Sequence, residues 1–265
     1  MFDGCKSLER VGNITRTSTS SCSAALMFSD CLSLKSIASI DTEGVTDMSN
    51  MFVVNVANIT LQPTFTPPVM NTASVTSMAN MFNGRGGLTA GGIDIISNYN
   101  TSSVTNMANM FNLCYVSGPS YVYQSVLDTA PSFNTSNVQD FSGMFSSSYG
   151  GVTGTLVTVP QWNMSSARSI NQMFSSQDHL TNLGGFVNLG KAFSNQEGAA
   201  YHTLDLSASA VLTKQSIMNV INNLAAPDDT NVNNATLKLS ATSYALLDAS
   251  EIAIATAKNW SVISA

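Results

Sequence analysis

Charge is scarce in this chain. Asp, Glu, Lys and Arg make up only 10% of its 265 residues, against about 25% in ordinary soluble domains. Ser, Thr, Asn and Gly take their place, so the surface is polar but weakly charged. The ten Lys and Arg are scattered and the net charge is -6. Nucleic-acid binding needs clustered cations, so no nucleic-acid partner is expected. Long apolar runs are also missing. No segment approaches the roughly 18 consecutive apolar residues of a spanning helix, so no membrane insertion is expected. The N-terminal MFDGCKSLER lacks a basic start followed by an apolar stretch, and no signal peptide is expected within this sequence.

Chemistry-bearing residues are equally sparse. Cys5, Cys22, Cys31 and Cys114 form no CxxC pair, and His179 and His202 stand far apart without evident partners. A zinc site is not expected. No Ser-His-Asp, HExxH or GxGxxG arrangement occurs. The Gly-rich GRGGLTAGG at 84–92 lacks the Lys-Ser/Thr of a phosphate loop and reads as a flexible insert. Asp228 and Asp229 fall in a turn, and Asp248 and Glu251 in a helix cap. The expectation is therefore no enzyme and no cofactor.

What the chain does have is a repeat. Met-Phe occurs at 1–2, 27–28, 51–52, 81–82, 110–111, 144–145 and 173–174, with successive Met residues 24–34 apart. A period of that length means one supersecondary unit per repeat, stacked on its neighbours. The lead-ins IDTEGVTDMSNMF, MNTASVTSMANMF, YNTSSVTNMANMF, FNTSNVQDFSGMF and WNMSSARSINQMF share one pattern. An apolar residue and Asn or Asp come first, then a short polar link, then an apolar residue at every third place up to Met-Phe. In the third, Val104, Met107, Met110 and Phe111 fall at i, i+3, i+6 and i+7, which predicts a two-turn helix capped by the preceding Ser or Thr. The recurrence of Met at one register reads as core packing rather than as an open Met-rich groove. Downstream, Leu8, Val11, Ile14, then Leu34, Ile37, Ile40, then Leu180, Leu183, Phe186 predict short strands entered through a bend. Inserts at 53–70, 83–98 and 112–132 interrupt the period.

Beyond residue 198 the pattern changes. HTLDLSAS at 202–209 and ATLKLSA at 235–241 alternate as strands, Thr213 caps a helix over KQSIMNVINNLA, and Asp248 with Glu251 forms a capping box for a helix over ASEIAIATAKN. NWSVI predicts a last strand.

The motif N-T-S-x-V-T-x-M-x-x-M-F resembles the BspA-type leucine-rich repeats of bacterial surface proteins and mycoplasma surface lipoproteins. The match is most specific at 99–111 and 133–145 and extends over 1–197. LDLS, SIMNVINNL, LKLSAT and EIAIATAKNW resemble the closing unit of such arrays, including phage tail or fibre-like members. The resemblance implies an α/β repeat: a leucine-rich-repeat-like solenoid of short parallel strands and short helices over 1–197, with a divergent α/β cap over 198–265. No matching cap precedes Met1, so either the chain is a fragment or its open N-terminal end is expected to dock on another subunit.

Candidate contact residues follow from position. Tyr115, Tyr121, Tyr123 and Tyr149 crowd the inserts, where tyrosines serve as binding anchors or pack the insert down. Asp41, Asn71, Asn100, Asn134 and Asn163 share one register and predict an internal ladder bonding the next coil, or else a carbohydrate-binding row. Cys5, Cys31 and Cys114 each lie three residues after a Met-Phe Phe. They read as small buried fillers, with a Cys5–Cys31 bridge as the alternative. The expected function is a non-enzymatic structural or adhesive module. It would be extracellular, on a phage particle or on a bacterial cell surface, contacting a protein partner or a host-surface glycan or protein. The alternative, a glycan-active β-solenoid enzyme, would need two carboxylates facing each other about 5–10 Å apart.

Overall fold

The computed structural model describes residues 1–18, 20–55, 62–114, 127–147, 156–196, 198–232 and 235–265. The chain divides into two compact units, Met1–Leu127 and Asp128–Ala265.

The Met-Phe segments are not helices. Asn50, Asn80 and Asn109, each directly before Met, sit at φ of 57°, 56° and 54°, and Leu26, Gly143 and Gln172 take the same place at 59°, 61° and 56°. Two residues after Phe, Asp30, Gly84, Leu113 and Ser176 are left-handed as well. Left-handed backbone costs an ordinary residue about 1–2 kcal/mol, and Gly and Asn tolerate it best. A left-handed residue every fourth position forbids a continuous helix. The segment instead runs through consecutive tight turns closed three residues apart, such as Met51 N–H to Met48 O at 3.3 Å and Val53 N–H to Asn50 O at 3.3 Å.

The broken helix frees alternate amides to bond the next coil. Met48, Asn50, Phe52 and Val54 donate to Ser77, Ala79, Met81 and Asn83 at 2.8–2.9 Å. Met78, Asn80, Phe82 and Gly84 continue to Asn106, Ala108, Met110 and Asn112 at 2.8–3.0 Å. In the second unit Phe141, Gly143, Phe145 and Ser147 donate to Ser169, Asn171, Met173 and Ser175 at 2.8–3.0 Å. A helix would use these donors internally.

The expected burial does hold, because a three-residue turn repeats the same inward direction at every third residue. Val75, Met78, Met81 and Phe82 are all buried, as are Val104, Met107, Met110 and Phe111. The rings stack coil on coil: Phe2 on Phe28 at 5.2 Å, Phe28 on Phe52 at 5.6 Å, Phe52 on Phe82 at 5.5 Å, and Phe82 on Phe111 at 5.7 Å. The second unit stacks Phe145 on Phe174 at 5.7 Å and Phe174 on Phe186 at 5.9 Å. Full burial of each such side chain contributes about 1.5–3 kcal/mol, and offset stacking adds about 0.5–1.5 kcal/mol per pair.

Short parallel strands join the coils elsewhere. In the first unit β1 (Arg10–Ile14) pairs with β3 (Ser36–Ile40), and β2 (Cys22–Ser23) with β4 (Val45–Asp47). In the second, β5 (Thr158–Val159) pairs with β7 (Asn182–Leu183), and β6 (Trp162–Asn163) with β8 (Phe186–Val187). The Gly-rich insert is ordered: Thr89 caps α1 (Ala90–Ser97), accepting from Gly92 N–H at 3.0 Å. Its glycines serve close approach rather than flexibility. A Cβ on Gly84 would lie 2.1 Å from Val54 O, and one on Gly87 2.1 Å from Pro63 O.

The C-terminal elements match the sequence. β9 (Thr203–Leu206), β10 (Ala235–Leu239) and β11 (Trp260–Ser264) form one parallel sheet with β10 central. Thr213 caps α2 (Lys214–Asn223), whose Ile217, Val220 and Ile221 are buried. A single-turn α3 (Ala241–Tyr244) follows β10, and Asp248 with Glu251 closes the capping box of α4 (Ala249–Thr256). Lys258 extends its ammonium to Ile221 O at 3.0 Å and Asn222 O at 2.8 Å, satisfying the end of α2.

Two expected outcomes follow. Asn50→Ala destabilises the chain by about 1 kcal/mol, whereas Asn50→Gly is close to neutral, since only the former pays for left-handed backbone; urea unfolding measures both. The second outcome concerns pH. The Ser250 hydroxyl and Glu251 amide hold Asp248 below its usual value, and Lys214 does the same for Glu251. Burial alone would raise Asp205, but the Ser207 and Lys238 bonds outweigh it and lower it too. A lowered folded-state value means the stabilisation is complete above the unfolded value and is lost as pH falls through the folded one. Thermal midpoints therefore stay level from pH 8 to 5 and drop below about pH 4, with a shallower drop in Asp248→Asn, which keeps a cap acceptor but does not titrate.

Candidate functional site

The described surface of each unit carries polar positions set by coil register. Asp41, Asn71, Asn100, Asn134 and Asn163 are all exposed. Each side-chain oxygen accepts the amide two residues on, from Glu43, Ala73, Ser102, Ser136 and Ser165, at 3.1–3.2 Å. The expected internal ladder is thus not made by Asn. These are local Asx turns, which that residue type forms readily. The neighbouring Thr supplies the ladder: Thr42, Thr72 and Thr135 are buried, and their hydroxyls donate to Asn71 O, Asn100 O and Asn163 O at 2.7–3.0 Å. A methyl and a hydroxyl on one carbon let Thr pack inward and still reach the next coil. The outward Asn keeps its amide nitrogen on the surface.

A second set lies six residues later. Asp47, Asn106 and Asp140 make the same turn with Ser49, Ala108 and Ser142 at 2.8–2.9 Å. Beside it Thr46, Thr76 and Thr105 donate to Cys22 O, Thr46 O and Thr76 O at 3.1–3.3 Å.

Three residues after Phe, several repeats place a polar side chain that bonds carbonyls of other coils, and no thiol ladder forms among the described residues. All four cysteines are free. The Cys31 thiol donates to Phe2 O at 3.0 Å and that of Cys114 to Phe82 O at 2.7 Å, and burial pushes both upward in pKa, Cys31 to about 11. Cys5 is exposed. Arg85 and Gln177 occupy the same register and are buried. Arg85 donates to Cys31 O at 3.0 Å and to Leu34 O, and its guanidinium lies 4.3 Å from the Phe65 ring centroid. Burial lowers its pKa to about 10, so it stays charged at neutral pH. Its fork reaches two coils back, past the stretch where 53–70 leaves the repeat. No sequence pattern marked Arg85, because an arginine in a Gly-rich segment ordinarily faces water.

Of the remaining candidates, Tyr115, Tyr121, Tyr123 and Tyr149 lie outside the described residues. His179 does have a partner, Asp178 Oδ1 at 2.6 Å from its Nδ1, and His202 is buried against the Phe193 ring at 4.4 Å. Asp229 accepts the amides of Asn195 and Asn231, which hold it below its usual value. At the first coil Met1 is 82% exposed. A recess of about 140 Å³ lies there, lined by Met1, Ile14, Cys22, Met27, Ile40 and Val45 among others. Among the described residues no three His, Cys, Asp or Glu come together as a metal site, and no helix is long and apolar enough to cross a membrane.

Comparison with known proteins adds a family. The family model described as "Mycoplasma protein of unknown function, DUF285" matches three overlapping stretches, residues 1–64, 21–148 and 59–185. No curated protein and no solved structure matches the chain. Overlapping matches that walk along the sequence are what a repeated unit produces, and they span most of it: the chain belongs to the DUF285 family of mycoplasma proteins.

Proposed function

We propose that this chain is a non-enzymatic adhesive and structural module, displayed outside a bacterial cell, where its polar rows contact a protein or glycan on a partner surface. In this reading the coils of each unit are those of a leucine-rich-repeat-like solenoid, and residues 198–265 close it. The observation that carries the reading is the outward Asn row. Asx turns at Asp41, Asn71 and Asn100 in the first unit and at Asn134 and Asn163 in the second present four uncharged amides and one carboxylate at one register of the repeat, each fixed by its own backbone bond. Groups held rigid before contact lose little entropy on binding, so weak contacts repeated along a stack add up. The low charge of the chain fits short-range, weakly steered contact.

Membership of a family described from mycoplasma supports the cell surface over the phage particle.

Fractionation tests the reading. Intact cells that make the protein are treated with an impermeant protease, then separated into envelope, cytosol and released particles, and the chain is quantified by mass spectrometry. It is expected in the envelope fraction and largely removed by protease. Recovery from cytosol, protected until lysis, overturns the reading, and copurification with particles moves the module to a virion.

A further inference from the structure

Among the described residues, the stack of the second unit has a step that is left open. In the repeat step before it, Phe141, Gly143, Phe145 and Ser147 all donate to the following coil. One coil later the first of these bonds is kept, Ile170 N–H to Tyr201 O at 3.1 Å, and the second and third are not. The chain there enters β9 instead of another Met-Phe turn. Among the described residues, the Gln172 and Phe174 amides, equivalent to those of Gly143 and Phe145, find no partner.

A cavity of about 400 Å³ opens at this step, between the turn 171–176 and β9. That size lies within the range of about 300–1,000 Å³ typical of small-molecule sites. Asn171 and Gln172 line one side, and Thr203, Asp205 and Ser207 the other, with Ala208 at the rim. The Asp205 carboxylate is fixed in place: it accepts Ser207 N–H at 2.9 Å, the Ser207 hydroxyl at 2.5 Å and Lys238 Nζ at 3.1 Å. The lining therefore offers both donors and acceptors and, among the described residues, no cation; Lys238, which bonds Asp205, is not part of it. An anion would meet the carboxylate, and an apolar ligand would strand the amides, which is costly. A polyol suits both, because every hydroxyl donates and accepts.

We propose that this cavity binds an uncharged sugar, a single ring or a disaccharide unit, with the Gln172 and Phe174 amides donating to its oxygens and Asp205 accepting from a hydroxyl. The site gives the adhesive reading above a specific glycan contact, and it rests on that reading only for its biological setting.

The test uses the full chain, ¹⁵N-labelled, titrated separately with glucose, galactose, mannose, N-acetylglucosamine, N-acetylgalactosamine, sialic acid and inorganic phosphate. At least one neutral sugar is expected to shift the Gln172 and Phe174 amide signals, with saturation transfer to the sugar. Ala208→Leu fills the rim and is expected to weaken binding at least tenfold while leaving the circular dichroism unchanged. Asp205→Asn keeps a neutral acceptor and is expected to weaken binding less. The proposal is overturned if no neutral sugar shifts these amides, if only sialic acid or phosphate does, or if Ala208→Leu binds as tightly as the parent chain. Adhesion of the chain to a cell or protein surface is read in parallel. Equal adhesion by parent and Ala208→Leu, without sugar binding, ends the site proposal and leaves the adhesive one standing. Sugar binding without adhesion does the reverse.

Discussion

A coil of about 30 residues is too short to bury its own apolar side chains and too short to satisfy its own backbone. Both deficits are met by the neighbour. The left-handed residue before each Met is the device that makes this work, because it turns alternate amides out of the coil and toward the next one. Buried amides left unpaired would cost far more than the strain at those positions. The same turns aim Val, Met, Met and Phe inward at intervals of three, so the hydrogen-bond ladder and the ring stack keep one register. A local shift of that register would break both at once.

That shared register also sorts the polar residues. In Asn-Thr the two neighbours take opposite roles. Thr points in and bonds across coils, while Asn points out and locks its own turn. The surface row is thus a by-product of the internal ladder, rigid because the ladder behind it is rigid. Arg85 belongs to the same logic. From the coil that follows the 53–70 insert, its charged fork reaches two coils back to the carbonyls of Cys31 and Leu34. A buried arginine is tolerated there because carbonyl oxygens and the Phe65 face take its charge.

Much of this was legible in the residues. The Met-Phe period gave the stacking, the three-residue spacing gave the burial, and the C-terminal caps at Thr213 and Asp248 were read correctly from local chemistry. The helix at Val104–Phe111 was not. Spacing of i, i+3, i+6, i+7 is shared by a helix and by a chain of three-residue turns, and apolar residues alone do not separate them. The discriminating signal was Asn or Gly directly before Met-Phe in four of the repeats, at Asn50, Asn80, Asn109 and Gly143. The ladder was assigned to Asn instead of Thr for a related reason, since either can bond a backbone and only the turn geometry decides which faces in. The cavity beside β9 left no trace in composition or pattern. It arises where a repeat ends, and its donors are backbone amides that every residue carries.

Backbone hydrogen-bond couplings in a ¹⁵N,¹³C-labelled sample test the central claim directly. Across-bond couplings are predicted from Asn50 N to Ala79 carbonyl carbon and from Phe52 N to Met81 carbonyl carbon. Couplings running from Phe52 N to Met48 carbonyl carbon instead, the signature of a helix, would contradict the account.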